Sequence, residues 1–470
     1  MQYVSTRAGA PQLGFEDVII TGLAGDGGLY VPESWPVFST EKWRSLRGKT
    51  YAEIALEVME PFVAGAMPRE TFKQMIDEAY GAFSHRAVVP LTQLDANQWL
   101  LELYHGPTLA FKDVAMQLLA RLMDWALERA DTSASIVAAT SGDTGGAAIE
   151  AFKDSKRTRV FVLHPHERVS SVQRRQMTTT GSERVFNIAL KGNFDDCQDL
   201  VKAMFAHEAF RSEQNLAGVN SINWARIMAQ TVYYVTSAIA LGAPDRPVSF
   251  TVPTGNFGDI FAGYVVKQMG LPIDQLVIAT NSNDILDRTL KTGRYEVTGV
   301  TPTTSPSMDI QVSSNFERLL FDVSNRDGAE VIQMMSGLKQ SGAFEIPASA
   351  LTTLRQTFIS GRADEQAVTK TIADTLKRSE KLIDPHTAVA CCVADQVMAH
   401  NTVQDTAQAL SDAPMIILST AHPAKFPDAV EAASGIYPKL PPHMADLFER
   451  TEKFEVLPND LATIESFIAK

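Results

Sequence analysis

Tyr104-His-Gly-Pro-Thr-Leu-Ala-Phe-Lys112-Asp113 is the stretch whose reading decides the fold. Gly106 and Pro107 make a turn, and the run from Asp113 to Arg129 places apolar residues at 115, 118, 119, 122 and 126, the spacing of one helix face. Lys112 is thereby predicted at a helix start. The positive end of the helix dipole disfavours a second positive charge there and lowers the lysine pKa, which helps an amine that must be neutral to form a Schiff base. Most lysines are solvated surface residues, and taken alone this one reads the same way. The rest of the chain decides between the two.

Working outward, residues beyond about 135 alternate short β-rich runs with helices, the pattern of a mostly parallel sheet covered on both faces. Ile136 to Ala139 runs into Thr140-Ser-Gly-Asp-Thr-Gly-Gly146 and then a helix. Val248 to Val252 does the same into Pro253-Thr-Gly-Asn-Phe-Gly-Asp259. Met415 to Leu418 leads into Ser419-Thr-Ala-His-Pro-Ala-Lys-Phe426, and Leu276 to Thr280 into Asn281-Ser-Asn283. Loops at the carboxyl ends of strands in open α/β sheets share one side, where ligands bind, so four polar loops are expected to converge on one crevice.

Each loop has a chemical reading and a structural rival. Gly255-Asn-Phe-Gly258 puts flexible backbone at a helix N-terminus, where free N–H groups and the dipole bind phosphate without a lysine; the rival is a plain strand-to-helix turn. Ser141 and Thr144 add hydroxyls to a second anion site, or simply form an N-cap box. Ser419 and Thr420 present a hydroxyl inward or cap the next helix. Ser221, Asn223 and Arg226 precede and open an amphipathic helix, and only a phosphate or carboxylate ligand needs all three together. Arg168, Arg174 and Arg175 either hold an anionic group or form a solvated face. His164 and His166, with Glu167 following, lack a third ligand, so no metal is expected.

Composition bounds the function class. The 470 residues, 45% hydrophobic and 21% charged, suit a soluble globular chain of two or three domains. A net charge of -13 argues against a nucleic-acid partner. Cys197, Cys391 and Cys392 show neither CxxC nor zinc spacing, which fits a reducing cytoplasm. The first residues lack a basic start followed by an apolar core, and no apolar run is long enough for a bilayer, so neither secretion nor membrane insertion is expected. Near the start, Gly22-Leu-Ala-Gly-Asp-Gly-Gly-Leu-Tyr-Val-Pro32 reads as a tight turn into a short strand. It lacks the GK[ST] ending of a phosphate loop and belongs to an accessory domain.

In combination and in that order, the lysine stretch, Thr140 to Gly146, Pro253 to Asp259 and Ser419 to Phe426 resemble the threonine synthase family, and the glycine-dense turn resembles its N-terminal domain. The resemblance runs from the first residues to Leu457-Pro-Asn-Asp-Leu461 and is closest to the longer bacterial and fungal branch. It implies a tryptophan-synthase-β-like, fold type II pyridoxal phosphate enzyme with two open, mostly parallel sheets. The expected parts are an accessory domain over 1–95, a large cofactor domain over 96–134 and 245–425, a smaller mobile domain over 135–244, and a C-terminal helical extension over 426–470.

The implied reaction converts O-phospho-L-homoserine and water to L-threonine and phosphate. The resemblance implies that Lys112 carries pyridoxal phosphate, and that Gly255, Asn256, Phe257, Gly258 and Asp259 hold its phosphate. Asp143 is implied to approach its phenolic oxygen, and Thr420 its pyridine nitrogen. A hydroxyl in that last place makes a weaker electron sink than a carboxylate would. Ser141 and Thr144 are implied to bind the substrate carboxylate, and Ser221, Asn223, Arg226 and either Arg174 or Arg175 its phosphate. Released as a free amine, Lys112 takes a Cα and then a Cβ proton, phosphate leaves from Cγ, and reprotonation at Cγ and addition of water at Cβ follow. A monomer or homodimer is expected. Rival readings are a lyase or dehydratase releasing a 2-oxo acid, and a non-catalytic binding module. The segment 301–322 resembles a family insertion and discloses no task.

Overall fold

The computed structural model describes residues 1–401 and 412–470. Two sheets carry the architecture. The larger has six strands in the order Phe358–Arg362, Ile273–Thr280, Val248–Pro253, Met415–Ser419, Gln98–Glu102, Leu91–Asp95. All neighbours are parallel except the last two, which form an antiparallel pair. The smaller is wholly parallel, in the order Glu455–Pro458, Val185–Lys191, Thr158–Pro165, Ala134–Ala139, Leu216–Ala217.

Both sheets are clothed on two sides, and the sequence pattern shows why. Successive side chains of a strand point to opposite faces. On the large sheet, Phe250, Val252, Leu276, Ile278, Ile416 and Leu418 enter the main core, while Val277, Ala279, Met415 and Ile417 pack on Ala388, Val389, Cys391 and Val393 of the helix Pro385–Asn401. With both faces buried, Leu276–Ala279 and Met415–Leu418 are continuous apolar runs, while Val248–Pro253 carries the buried Ser249 and Thr251. The small sheet behaves likewise, with Ile136, Val160 and Val162 in the main core and Val137, Phe161, Leu163 and Ile188 in a separate one.

The helix Trp224–Ala240 is buried nearly all round and forms the axis of the main core, in contact with the helices Tyr51–Val63, Lys112–Arg129 and Gly258–Gln268. A helix apolar on every side has no solvent face to spare. The large sheet begins at Leu91, inside the stretch expected as accessory. The 426–470 segment differs more from expectation. Beyond helical turns it supplies the edge strand Glu455–Pro458, and Ile464 and Ile468 of its last helix complete the second core of the small sheet. The apolar alternation in Glu455-Val-Leu-Pro458 is too short to announce a strand, and pairing with Val185–Lys191 decides it.

Candidate active site

Lys112 is the first residue of the helix Lys112–Arg129, as the periodicity predicts. It is buried, and its Nζ lies 3.3 Å from Asp143 Oδ2, 3.5 Å from Ser307 Oγ and 4.7 Å from the Phe111 ring centre. Its pKa is lowered chiefly by burial; Lys425 and Arg226 lower it further, and Asp143 opposes them. The dipole argument gave the right direction, but loss of water does most of the work.

Asp143 opens the helix Asp143–Phe152 that follows the strand Ala134–Ala139. Burial alone would raise its pKa, yet Lys425 and Lys112 more than offset that and hold it well below the usual carboxylate range. Lys425 Nζ sits 2.8 Å from Asp143 Oδ1 and donates to the Thr108 carbonyl at 2.7 Å, fully buried. Gln173 Nε2 donates to the same carboxylate oxygen at 2.8 Å. One carboxylate thus bridges two buried lysines from different strand ends.

Thr140, rather than Ser141 or Thr144, caps the loop: its Oγ1 accepts from the N–H groups of Gly142 and Gly145, both at 2.9 Å. Gly142 has φ 137°, and a Cβ there would fall 2.5 Å from Gln173, so glycine is required. The capping work done by Thr140 leaves Ser141 and Thr144 half-buried, with no hydroxyl hydrogen bond to the described residues.

The Pro253–Asp259 loop leads into the helix Gly258–Gln268, whose start has no side-chain cap. Its first N–H groups are left open by the geometry of an α-helix. Phe257 adopts φ 62°, its ring turned into the core against Phe316 and Phe358. The Asn256 carbonyl accepts from Asn315 N and Nδ2, and the Gly255 carbonyl from Ser313 Oγ. A Cβ on Gly255 would meet the Ser307 carbonyl at 2.7 Å. Asp259 points its carboxylate the other way, accepting from the hydroxyls of Tyr233 and Tyr234. It can offer an anion only its backbone N–H.

Arg226 is the third residue of the helix Trp224–Ala240, buried, with burial pushing its pKa down to about 10. Among the described residues its only side-chain hydrogen bond runs from Nη1 to the Val219 carbonyl at 3.4 Å, and Nε has no partner. Among the described residues no carboxylate pairs with it. Ser221 is half-buried, its Cβ 3.6 Å from where a Gly258 Cβ would stand. Asn223 departs from expectation. It is the N-cap, accepting from Ala225 N at 3.1 Å and donating to the Ile19 carbonyl at 2.8 Å, so both ends of its amide are occupied.

Arg174 and Arg175 are likewise not brought to the crevice. Arg174 forks onto Glu452 at 2.9 and 3.1 Å, and Arg175 pairs with Glu452 at 3.4 Å and covers the Phe448 ring. They clasp the C-terminal segment, a use that no local pattern reveals. Thr420 is buried at the end of the strand Met415–Ser419; its carbonyl accepts from Phe111 N at 2.9 Å, and its hydroxyl makes no hydrogen bond to the described residues. The fourth loop acts at a distance, with Asn281 and Asn283 donating to Asp309.

Comparison with known proteins agrees with this arrangement. Residues 2–80 match the model described as threonine synthase N terminus, 85–407 that of pyridoxal-phosphate dependent enzymes, and 387–468 that of the threonine synthase C-terminal region. A threonine synthase of Pseudomonas aeruginosa is 52% identical over 471 residues, covering 100% of this chain and 98% of the relative. The chain belongs to the threonine synthase family. A pyridoxal-phosphate-bound threonine synthase from Brucella melitensis superposes with a TM-score of 0.95 at 57% identity, covering 100% of this chain and 98% of the other. The yeast threonine synthase gives 0.93 at 38% identity with the same coverage. Family membership fixes the fold as type II and pyridoxal phosphate as the cofactor of this chain.

Sequence reasoning left four contributors to the crevice without a role: Lys425, Gln173, Ser307 and Thr140. Lys425 carried a signal, a lysine between Pro423 and Phe426 in a loop at a strand end. The other three carried none that separates them from ordinary loop residues.

Proposed function

We propose that the crevice converts O-phospho-L-homoserine and water to L-threonine and phosphate, with Lys112 as the residue that carries pyridoxal phosphate. The observation that carries the substrate is Arg226, a buried cation with an unsatisfied Nε and, among the described residues, no carboxylate partner, in the field of Lys112. Burying such a charge costs several kcal/mol unless a ligand pairs with it, and a phosphate ester is the ligand that fits.

The residues suit the cofactor. Open N–H groups at the start of Gly258–Gln268 would hold its phosphate, with Gly255 letting the backbone approach closely. The unengaged Thr420 hydroxyl suits the pyridine nitrogen, and Asp143, kept ionised by Lys425, the phenolic side. When bound, pyridoxal phosphate supplies the electron sink that makes protons on Cα and Cβ removable. Ser141 and Thr144 would grip the α-carboxylate, while Arg226 and Ser221 hold the phosphate before and after it leaves. Lys112, its pKa lowered by burial, moves protons along the carbon chain as base and then acid. Closing the small-sheet unit over the crevice would keep stray water from Cβ until phosphate departs. The site is built within one chain, consistent with a monomer or homodimer. No helix among the described residues is long and apolar enough to cross a membrane. A cytoplasmic setting matches the thiols, all of which are free.

The test is product analysis with O-phospho-L-homoserine. Threonine and phosphate in equal amounts support the reading. Phosphate with 2-oxobutyrate would turn it into a lyase, and release of neither would leave only a binding role.

A further inference from the structure

The segment 301–322 forms one wall of the crevice and is anchored from three sides. Asp309 Oδ1 accepts from Asn281 Nδ2 at 2.8 Å and Asn283 Nδ2 at 2.9 Å. Ser313 Oγ donates to the Gly255 carbonyl at 2.7 Å. The backbone N–H of Ser307 donates to His386 Nε2 at 3.3 Å, and His386 Nδ1 meets Asp384 Oδ2 at 2.8 Å. Since Nε2 accepts, the ring proton lies on Nδ1 and points to Asp384, so the imidazole is held by a buried carboxylate. The histidine takes the amide proton of Ser307 and not its hydroxyl. This arrangement therefore activates no nucleophile and instead fixes where Ser307 Oγ stands, 3.5 Å from Lys112 Nζ.

We propose that Ser307 is a positioning residue for Lys112, acting with Asp143 to aim the lone pair of its amine. A neutral amine has two N–H bonds and one lone pair in tetrahedral directions; an ammonium has three N–H bonds. Asp143 Oδ2 at 3.3 Å and Ser307 Oγ at 3.5 Å supply two acceptors. With both N–H bonds engaged, the remaining direction is the lone pair before proton transfer and the new N–H bond after it. When Lys112 takes a proton, the C–H electron pair stays with carbon and the nitrogen lone pair becomes the N–H bond; giving the proton back reverses both changes. Two fixed acceptors let both transfers use one direction, without rotation about Cε–Nζ. With Asp143 alone, the amine turns freely about that contact and its lone pair faces the reacting carbon only part of the time. The task of the 301–322 wall, on this assignment, is to carry that hydroxyl, with His386 and Asp384 as its brace. The assignment rests on Lys112 being the proton carrier of the reaction proposed above.

The experiment compares wild type, Ser307→Ala and Ser307→Thr as full-length holoenzymes with O-phospho-L-homoserine. Ser307→Ala is expected to lower kcat by about 10- to 100-fold with KM within about threefold, and Ser307→Thr to restore most of it. A second readout does not depend on turnover. In the full-length protein freed of cofactor, competitive acetylation of Lys112, followed by mass spectrometry across pH, gives the midpoint of its deprotonation. Ser307→Ala is expected to move that midpoint to lower pH, because the ammonium loses an acceptor, and Ser307→Thr to keep it in place. Should the alanine variant fail to fold, Ser307→Cys keeps the volume with a poorer acceptor and is expected to shift the midpoint in the same direction. Unchanged kcat, or lost kcat with an unmoved labelling midpoint, would overturn the assignment while leaving the reaction standing. A wild-type enzyme that forms no threonine would overturn the reaction and this assignment together.

Discussion

Replacing Lys425 with Met asks how far the crevice depends on a residue that never touches the reacting atoms of the substrate. The ammonium is fully buried and bonded to Asp143 Oδ1 at 2.8 Å and the Thr108 carbonyl at 2.7 Å. Methionine fills a similar volume, so the loss is mainly electrostatic. Removing one partner of a buried ion pair costs about 3–5 kcal/mol. Here Asp143 keeps Lys112 and Gln173, which reduces the expected loss to about 2–3 kcal/mol. For a cooperative unit of about 150–250 residues this lowers Tm by about 4–12 °C. The sign of the pH dependence follows from Asp143. Its folded pKa is depressed, so its stabilisation is present above the unfolded value near 3.8 and is lost only as pH falls through the lower folded value. The gap between variant and wild type should therefore stay constant through neutral pH and narrow only in strong acid. Kinetics should also respond. Lys425 lowers the Lys112 pKa, so with Lys112 as the proposed base its removal makes that amine harder to deprotonate and moves the acid limb of the kcat profile to higher pH. Scanning calorimetry with saturating cofactor, alongside pH–rate curves, tests both effects. A variant that melts with wild type and keeps its acid limb would refute the bridging role.

Arg226→Gln should raise KM for O-phospho-L-homoserine roughly 10- to 100-fold, the value of a charge-assisted phosphate contact. It should also raise the ligand-free Tm, because a buried unpaired charge is removed; steady-state kinetics and calorimetry check the pair, and an unchanged KM would count against the phosphate site. Gly255→Ala places a Cβ 2.7 Å from the Ser307 carbonyl, so cofactor affinity should fall roughly 10-fold or more, read by titrating the visible absorbance of the bound cofactor. Asp259, pushed up to about 6 by burial, binds its proton more tightly folded than unfolded. Its contribution to stability should decline as pH rises from about 4 to 6 and stay level above, so urea midpoints of Asp259→Asn should gain on wild type across that window; parallel curves would show the carboxylate ionised throughout.

Much of this was legible in the chain because strand ends and helix starts leave local marks. The periodicity after Asp113 placed Lys112 at a helix N-terminus, and three polar loops, two of them glycine-bearing, were placed at the carboxyl ends of strands. What stayed hidden depends on contacts between residues far apart. Asn223 and Arg226 share one local motif, yet the amide is spent on Ile19, over two hundred positions away, while the guanidinium is left open. Arg174 resembles an anion ligand until Glu452 arrives from the C-terminal segment. Asp259 sits in a phosphate-type loop, but its side chain serves two tyrosines of the neighbouring helix. Lys425 and Ser307 gain meaning only when three separate stretches close on Asp143 and Lys112. Local sequence sets what a backbone can do; which side chain faces the crevice is decided by tertiary partners.

The most direct measurement locates the cofactor. Holoenzyme reduced with borohydride, digested and mapped by mass spectrometry should carry the pyridoxyl group on Lys112. The competing site is Lys425, also buried and bound to the same carboxylate. A label on Lys112 alone is the result this account predicts, and a label on Lys425 or on neither lysine would contradict it.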